Sequence, residues 1–223
     1  PRPDEGELAR VADLLKAAKS PVIVAGGGVH YADACAALQR FAETHQIPVV
    51  ESQAGKSALA WDHPLNLGPV GVTGAGSANE VCAGADLVLG VGTRCQDFTT
   101  GSWNLFQNPD RTLVSLNVAA YDAMKHGAEP LCCDARVGLE LLGAALGDLQ
   151  LAAPSTALKE AWFSAVDPLT AAPREDIQLP TDQQVIGAVQ RASTEETVVM
   201  CAAGTMPGEL HKLWKASKPG SYH

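Results

Sequence analysis

The chain has 223 residues, enough for one large domain or for one domain and part of another. With 46% hydrophobic and 18% charged residues, it has the composition of a folded globular protein and not of a disordered one. The net charge of −9 argues against nucleic acid as a partner. No apolar run could span a bilayer and no signal peptide precedes the first elements, so we expect a cytoplasmic protein without a membrane partner.

The cysteines and histidines do not form a recognisable reactive site. The six cysteines include no C-x-x-C pair and no histidine at zinc-ligand spacing, so we expect reduced thiols and no metal-binding residue in this chain. Four histidines lie singly in predicted loops or at element ends: His30, His45, His63 and His126. None of them lies near a serine or cysteine in a nucleophile setting. The residue pattern therefore identifies no catalytic residue.

Helices and strands are predicted to alternate from residue 1 to about residue 147. Asp4, with Glu7 three positions later, indicates the start of a first helix that ends near Lys19. A short β-branched run then predicts a buried strand, which ends in a tight glycine turn at 26–28. The predicted strands of this part of the chain lie at 22–25, 47–50, 86–91, 112–117 and 130–133.

The connections complete the pattern of an α/β domain. Apolar residues at helical spacing, including Ala37, Leu38 and Phe41, predict a helix after the glycine turn. The glycine-rich stretch 51–76 is predicted to be a long loop that binds or covers something. Asp134 caps a last helix that ends near Leu146. This order predicts an open, mostly parallel, doubly wound sheet with helices on both faces, a Rossmann-like α/β fold.

The pattern changes after residue 147. An alanine- and proline-rich stretch predicts a linker with at most one short helix, near 158–166. A capping box of Thr181 and Gln184 then opens a helix, a strand is predicted at 197–201, and Pro207 opens another helix.

Three parts of the chain follow from this pattern. We expect a Rossmann-like domain at 1–150, a linker at 151–180 and the start of a second α/β unit at 181–223. A helix, a strand and a helix cannot close a core of their own. We therefore expect the chain to be a fragment that ends partway into its second domain.

Motifs between residues 67 and 94 resemble one known family. A leucine-glycine pair opens a glycine-rich loop, the pair Ala78-Asn79 follows, and a strand led by Asp86 ends in the Gly-x-Arg of Arg94. This series resembles the central domain of thiamine diphosphate (ThDP) enzymes, in the acetolactate synthase branch. The segment 20–28 is similar to the first strand of that domain.

Three further stretches resemble the branch of this family that acts in inositol catabolism: 51–57, 117–128 and 201–214. The resemblance covers the whole chain. It implies that residues 1–150 are the central domain and that 181–223 begin the diphosphate-binding domain. It also implies a homo-oligomeric enzyme that hydrolytically cleaves a C–C bond of a small-molecule substrate, a cyclic 1,2-dione.

The resemblance implies that this segment cannot catalyse the reaction alone. In the family, a glutamate of a preceding domain activates ThDP, and a Gly-Asp-Gly…Asn motif of the last domain binds Mg²⁺ and the diphosphate. Neither lies within these 223 residues. We expect ThDP and Mg²⁺ in the full-length enzyme and no activity in the segment alone.

Two sets of positions are implied to bind cofactors. The first set lies in the turn that contacts the cofactor phosphates in the family: Gly204, Thr205 and Met206. The second set corresponds to the positions that hold FAD in relatives that bind it: Gly26, Gly27, Gly28, Gly74 and Arg94. The inositol branch is not expected to need FAD, so we expect the second set of residues to have a structural role only.

Two alternatives to the hydrolase remain open. The chain can be a nucleotide-binding module of an acetolactate synthase-like enzyme, which uses the Gly26 turn and Arg94 for FAD or ADP. It can also be a purely structural spacer that binds no nucleotide.

Overall fold

A parallel sheet organises the computed structural model, which describes residues 1–151, 156–172 and 179–223. Its strands are β1 (Pro21–Ala25), β2 (Val49–Glu51), β3 (Asn66–Pro69), β4 (Leu87–Val91), β5 (Thr112–Asn117) and β6 (Glu129–Cys132). They are hydrogen-bonded in the order β3-β2-β1-β4-β5-β6, and every neighbouring pair is parallel. This is the strand order of a doubly wound Rossmann-like sheet, so the predicted fold class is confirmed.

Helices connect and flank these strands. The α-helices are α1 (Glu5–Ala17), α2 (Gly27–Tyr31), α3 (Cys35–His45), α4 (Gly76–Gly84), α5 (Asp97–Thr100), α6 (Ala120–Ala123), α7 (Ala135–Leu146), α8 (Ala157–Val166), α9 (Asp182–Ala192) and α10 (Thr205–Leu213). Short 3₁₀ helices lie at Gln53–Gly55, Lys125–Gly127 and Asp167–Thr170. Within the described ranges, no helix has both the length and the apolar character needed to cross a membrane.

The residues of β1 show how one sheet supports two cores. All five residues of this strand are buried. Ile23 and Ala25 pack in a core with α1, α3 and α7, whereas Val22 and Val24 pack in a second core with α4. Because successive side chains of a strand point to opposite faces, a continuous apolar run supplies both cores.

Local capping signals place three helix starts correctly. Asp4 accepts hydrogen bonds from the backbone of Gly6 and Glu7, and Asp134 caps α7 in the same way. The predicted capping box of Thr181 and Gln184 is formed at α9.

The Glu7 side chain does not form a capping box with Asp4, the N-cap residue of α1. Instead, its carboxylate accepts the N–H of Cys132 at 3.0 Å. Arg10 pairs with Glu129 on the same strand. Helix α1 thus covers the edge strand β6 and satisfies an edge donor that would otherwise be free to pair.

The prediction that residues 51–76 form one long loop is wrong, because the stretch contains β3. Residues 66–69 read Asn-Leu-Gly-Pro, a sequence without β-branched residues and with three residues that are depleted in strands. Pro69 is tolerated because β3 is an edge strand of the sheet. Pairing with β2, and not local propensity, makes this segment a strand.

The predicted strand at 197–201 is also wrong. A strand needs a partner along its length, and the segment beside it, 221–223, pairs with it through three backbone hydrogen bonds only. The result is one isolated bridge, between Val199 and Tyr222. Val198 and Met200 are exposed, unlike the residues of the buried strands.

The predicted short helix of the linker is present as α8 and joins a third core. Trp162, Phe163 and Val166 of α8 pack with Ile186 of α9 and Leu213 of α10. The segment after residue 180 therefore shares its core with the linker helix. Other parts of the predicted linker, with Pro154 and Pro173, lie outside the described residues.

The glycine turn after β1 yields a prediction about stability. A Cβ at Gly28 would lie 2.6 Å from the Gly92 Cα, whereas a Cβ at Gly84 would meet nothing within 4 Å. We expect Gly28→Ala to lower the free energy of unfolding by about 2 kcal/mol or more, because backbone must move. Gly84→Ala is the matched control and should leave it unchanged or raise it by up to about 1 kcal/mol. Urea unfolding measures both, and equal effects would contradict the packing argument.

Candidate functional site

A cleft of about 870 Å³ opens at the carboxyl ends of the central strands. The sheet order reverses between β1 and β4, and doubly wound folds bind their ligands at such a reversal. We call this space the switch-point cleft. It is lined by residues within the segments 27–31, 53–54, 70–73, 96–99, 201–211 and 222–223.

The glycine turn forms one wall of the cleft, but its three glycines have different surroundings. Gly27 lines the cleft. Gly26 and Gly28 instead lie against the backbone of Gly92, where no side chain fits. Gly28 also donates its N–H to the Gly92 carbonyl at 3.0 Å. Packing alone therefore accounts for glycine at positions 26 and 28.

Gly74 and Arg94 lie outside the lining of the cleft. Gly74 sits in a tight turn, where a Cβ would lie 2.6 Å from the Gly71 N. The exposed Arg94 places its Nη2 2.7 Å from the Gln96 side-chain amide, in the orientation that presents the amide oxygen. Since Gln96 lines the cleft, Arg94 reaches it only through that neighbour.

The start of α10 forms the opposite wall. Gly204 lines the cleft and precedes the helix with a φ of 142°, a conformation that favours glycine. No side chain of the described residues caps this helix. The first amides of α10, at Thr205 and Met206, thus lack the usual helical partners, and Pro207 has no N–H. Thr205 and Met206 are exposed and lie outside the lining of the cleft.

A buried histidine holds α10 against the sheet domain. His211 is 1% exposed, and its Nδ1 lies 3.1 Å from the Thr73 hydroxyl oxygen. Its Nε2 has no hydrogen-bond partner among the described residues. Burial and then the charge of Lys56 lower the pKa of His211 to about 3. The imidazole is therefore neutral at physiological pH.

Two charged residues are buried beside this histidine. Glu51 and Lys56 are 3% and 4% exposed. Burial lowers the pKa of Lys56 to about 8, although the negative charge of Glu51 acts in the opposite direction. Burial raises the pKa of Glu51, although the positive charge of Lys56 acts in the opposite direction. The Lys56 ammonium lies 5.5 Å from the centre of the Tyr222 ring. This arrangement joins the end of β2 to the last residues of the chain.

These charged groups border a small cavity of about 20 Å³. Trp61, Trp162 and Trp214 line it together with Glu51 and Lys56. A cavity of this size has room for about one water molecule.

A hydrogen-bonded group of side chains lies on the cleft wall next to these charges. Gln53 donates to the Tyr222 hydroxyl at 2.7 Å and to the Cys201 sulfur at 3.1 Å. The Tyr222 oxygen lies 3.4 Å from the same sulfur. Burial raises the pKa of Tyr222, so its hydroxyl stays protonated. The wall therefore presents neutral polar groups.

The described residues provide no metal site. No group of three or more His, Cys, Asp or Glu side chains within them lies close enough to hold an ion.

Several cleft residues were missed from the sequence. Thr73, His211 and Tyr222 line the cleft. His30, which was predicted to lie in a loop or at an element end, lines it too. Lys56 lies immediately behind them. Thr73 and His211 are 138 positions apart, so no local pattern could have paired them.

Comparisons with known proteins agree with this architecture. Residues 8–142 match the family described as "Thiamine pyrophosphate enzyme, central domain". The chain is 36% identical over 248 residues to a protein of Bacillus cereus (strain AH820) named 3D-(3,5/4)-trihydroxycyclohexane-1,2-dione hydrolase. It is 37% identical over 248 residues to a second such hydrolase, from another strain of Bacillus cereus.

A protein of Bacillus thuringiensis (strain Al Hakam) with the same hydrolase name is 36% identical over 247 residues. Each of these matches covers 99% of this chain and 38% of the relative. The chain thus spans less than half the length of the curated relatives it matches.

The neutral state of His211 yields a prediction about acid stability. The unfolded chain binds a proton at this residue near pH 6.5, whereas the folded chain stays neutral down to about pH 3. The contribution of His211 to stability is therefore lost as the pH falls below 6.5, by about 1.4 kcal/mol per pH unit. Urea unfolding between pH 7 and 4.5 should show a shallower loss in His211→Gln. Equal slopes in the two proteins would contradict the assignment.

Proposed function

This chain belongs to the thiamine pyrophosphate enzyme family, and from that membership we propose that it is part of an enzyme that hydrolytically opens a cyclic 1,2-dione. The names of the relatives support the reaction class. We assign residues 1–150 to the central domain, 151–180 to the linker and 181–223 to the start of the diphosphate-binding domain. We further propose that the full-length enzyme is a cytoplasmic homo-oligomer in inositol catabolism.

The observation that carries this proposal is the uncapped start of α10 on the wall of the cleft. Gly204 has a backbone conformation that opens the turn, and the amides of Thr205 and Met206 lack helical partners. Such a helix start attracts an anion through its N–H groups and its dipole. The diphosphate of ThDP is an anion of this kind. Bound there, ThDP supplies a nucleophilic carbon and an electron sink for the cleavage of a C–C bond.

The side chains of this segment serve to hold and orient the cofactor. His211 is neutral and Tyr222 stays protonated, so neither adds a charge to the cleft wall. Lys56 is buried behind the wall beside Glu51. The acid or base chemistry of the reaction is assigned to residues outside this segment, as are the ligands of Mg²⁺.

The first test of this function is turnover. We expect the full-length protein that contains this segment to hydrolyse a trihydroxycyclohexane-1,2-dione only with ThDP and Mg²⁺ present, and the 223 residues alone to show no turnover. Gly204→Ala should raise the ThDP concentration for half-maximal activity about tenfold or more, because it strains the phosphate turn. Gly147→Ala is the control, because Gly147 also has a positive φ, of 59°, and lies outside the cleft lining. ThDP-independent turnover, or equal effects of the two variants, would contradict the proposal.

A second candidate function is nucleotide binding in the same cleft. Two exposed aromatic side chains, Tyr31 and Phe98, flank its opening beside Gly27, and a planar ring could stack on them. Of the five positions implied to hold FAD in relatives that bind it, only Gly27 lines this cleft. Helix α2 has only five residues, so its dipole offers little to a phosphate. This weakens nucleotide binding relative to the ThDP function.

Thermal unfolding with added nucleotide distinguishes the two candidates and the structural spacer. If the second function holds, FAD or ADP at a concentration about 100 times its Kd stabilises the chain by about 2.7 kcal/mol, and Tyr31→Ala with Phe98→Ala abolishes this shift. If FAD, ADP and NAD all leave the unfolding temperature unchanged, the second function fails and the central domain has a purely structural role.

A further inference from the structure

The loop between β3 and α4 is held rigidly before it reaches α10. The Asn79 amide makes hydrogen bonds of 3.0 Å with both the N–H and the carbonyl of Gly71. Gly74 donates to the Gly71 carbonyl at 2.9 Å, and Val72 donates to the Phe98 carbonyl at 2.9 Å. The loop therefore presents Thr73 from a fixed backbone.

Thr73 contacts α10 through both branches of its side chain. Its hydroxyl oxygen lies 3.1 Å from the His211 Nδ1. Its methyl group lies so close to the helix that a Cβ at Gly208 would come within 2.9 Å of it. Gly208 and His211 are three residues apart and hence on one face of the helix. Both line the switch-point cleft.

The Thr73 hydroxyl is the side-chain hydrogen-bond partner of His211, whose ring also faces the backbone of Thr73, Ser52 and Glu51. The His211 side chain is buried, and its Nε2 is already unpartnered among the described residues. Removal of the hydroxyl would leave both ring nitrogens without a side-chain partner there. A buried polar group that loses its partner destabilises the arrangement that buries it. Helix α10 would then move to a position that solvates the imidazole.

We propose that Thr73 is a positioning residue, through which the central domain fixes the cofactor-facing start of α10 and thereby sets the affinity for ThDP. This inference rests on the proposed function of the Gly204 turn. Thr73 lines the same cleft, and it acts on the Gly204 turn through His211 and Gly208. Its substitution is therefore expected to change cofactor affinity more than the rate at saturation.

The test compares Thr73→Val, Thr73→Ser and Ser77→Ala in the full-length protein. Thr73→Val keeps the shape and loses the hydroxyl, and we expect it to raise the ThDP concentration for half-maximal activity about tenfold, with kcat at saturating ThDP within about twofold. Thr73→Ser keeps the hydroxyl and should stay near the wild type. Ser77→Ala is the control, because Ser77 is a buried hydroxyl residue of the same region that donates its hydrogen bond to the Leu67 carbonyl and not to α10.

A second pair of variants tests the methyl contact. Gly208→Ala should also raise the half-maximal ThDP concentration, because the new Cβ meets the Thr73 methyl group. In the Thr73→Ser background, which lacks that methyl group, Gly208→Ala should have a much smaller effect. An equal effect of Gly208→Ala in both backgrounds would show that the Thr73 methyl group does not position α10.

Two further outcomes decide the proposal. If Thr73→Val and Ser77→Ala behave alike, or if Thr73→Val lowers kcat without changing the half-maximal ThDP concentration, Thr73 does not position the cofactor site. If the wild type shows no ThDP-dependent activity, the proposed function fails, and hydrogen exchange of the α10 amides then tests the positioning alone. Faster exchange in Thr73→Val than in Ser77→Ala supports it, and equal exchange overturns it.

Discussion

The glycine turn after β1 packs directly against the backbone of Gly92, the residue that follows β4. Gly28 donates to the Gly92 carbonyl, Gly92 has a φ of 60°, and neither Gly26 nor Gly28 has room for a side chain. This contact lets the chain leave β1 toward one face of the sheet and β4 toward the other, as Val29 and Phe106 in the two cores show. The cleft lies at that divergence, and the loops that surround it take their positions from it.

Polar contacts attach the last part of the chain to the sheet domain. Apolar packing of α8, α9 and α10 supplies the third core, but Lys56, Glu51 and His211 lie buried at the junction with the sheet. Burial of these groups costs free energy, which their mutual contacts offset in part. A hydrogen bond also tolerates less displacement than an apolar contact does. The Thr73–His211 contact therefore holds α10 in one position beside the cleft.

Strand prediction succeeded where both faces of a strand are buried and failed where pairing decides. The largely apolar runs of β1, β4 and β5 are recognisable because each strand must supply two cores. β3 has no such run, and it is a strand because β2 pairs with it. The segment 197–201 has the run but only three backbone hydrogen bonds with its neighbour, so it forms a single bridge.

The residues of this chain by themselves determined its helix starts, its buried strands, its glycine turn and its family motifs, because each of these depends on neighbours within a few positions. Gly27 and Gly204, two of the positions that the family motifs imply to bind a cofactor, line the cleft. Only the tertiary structure decided that Gly26 and Gly28 serve packing, that Gly74 and Arg94 lie outside the cleft lining, and that Thr73 meets His211. The order of the strands in the sheet brings such distant residues together, and that order is a property of the whole fold.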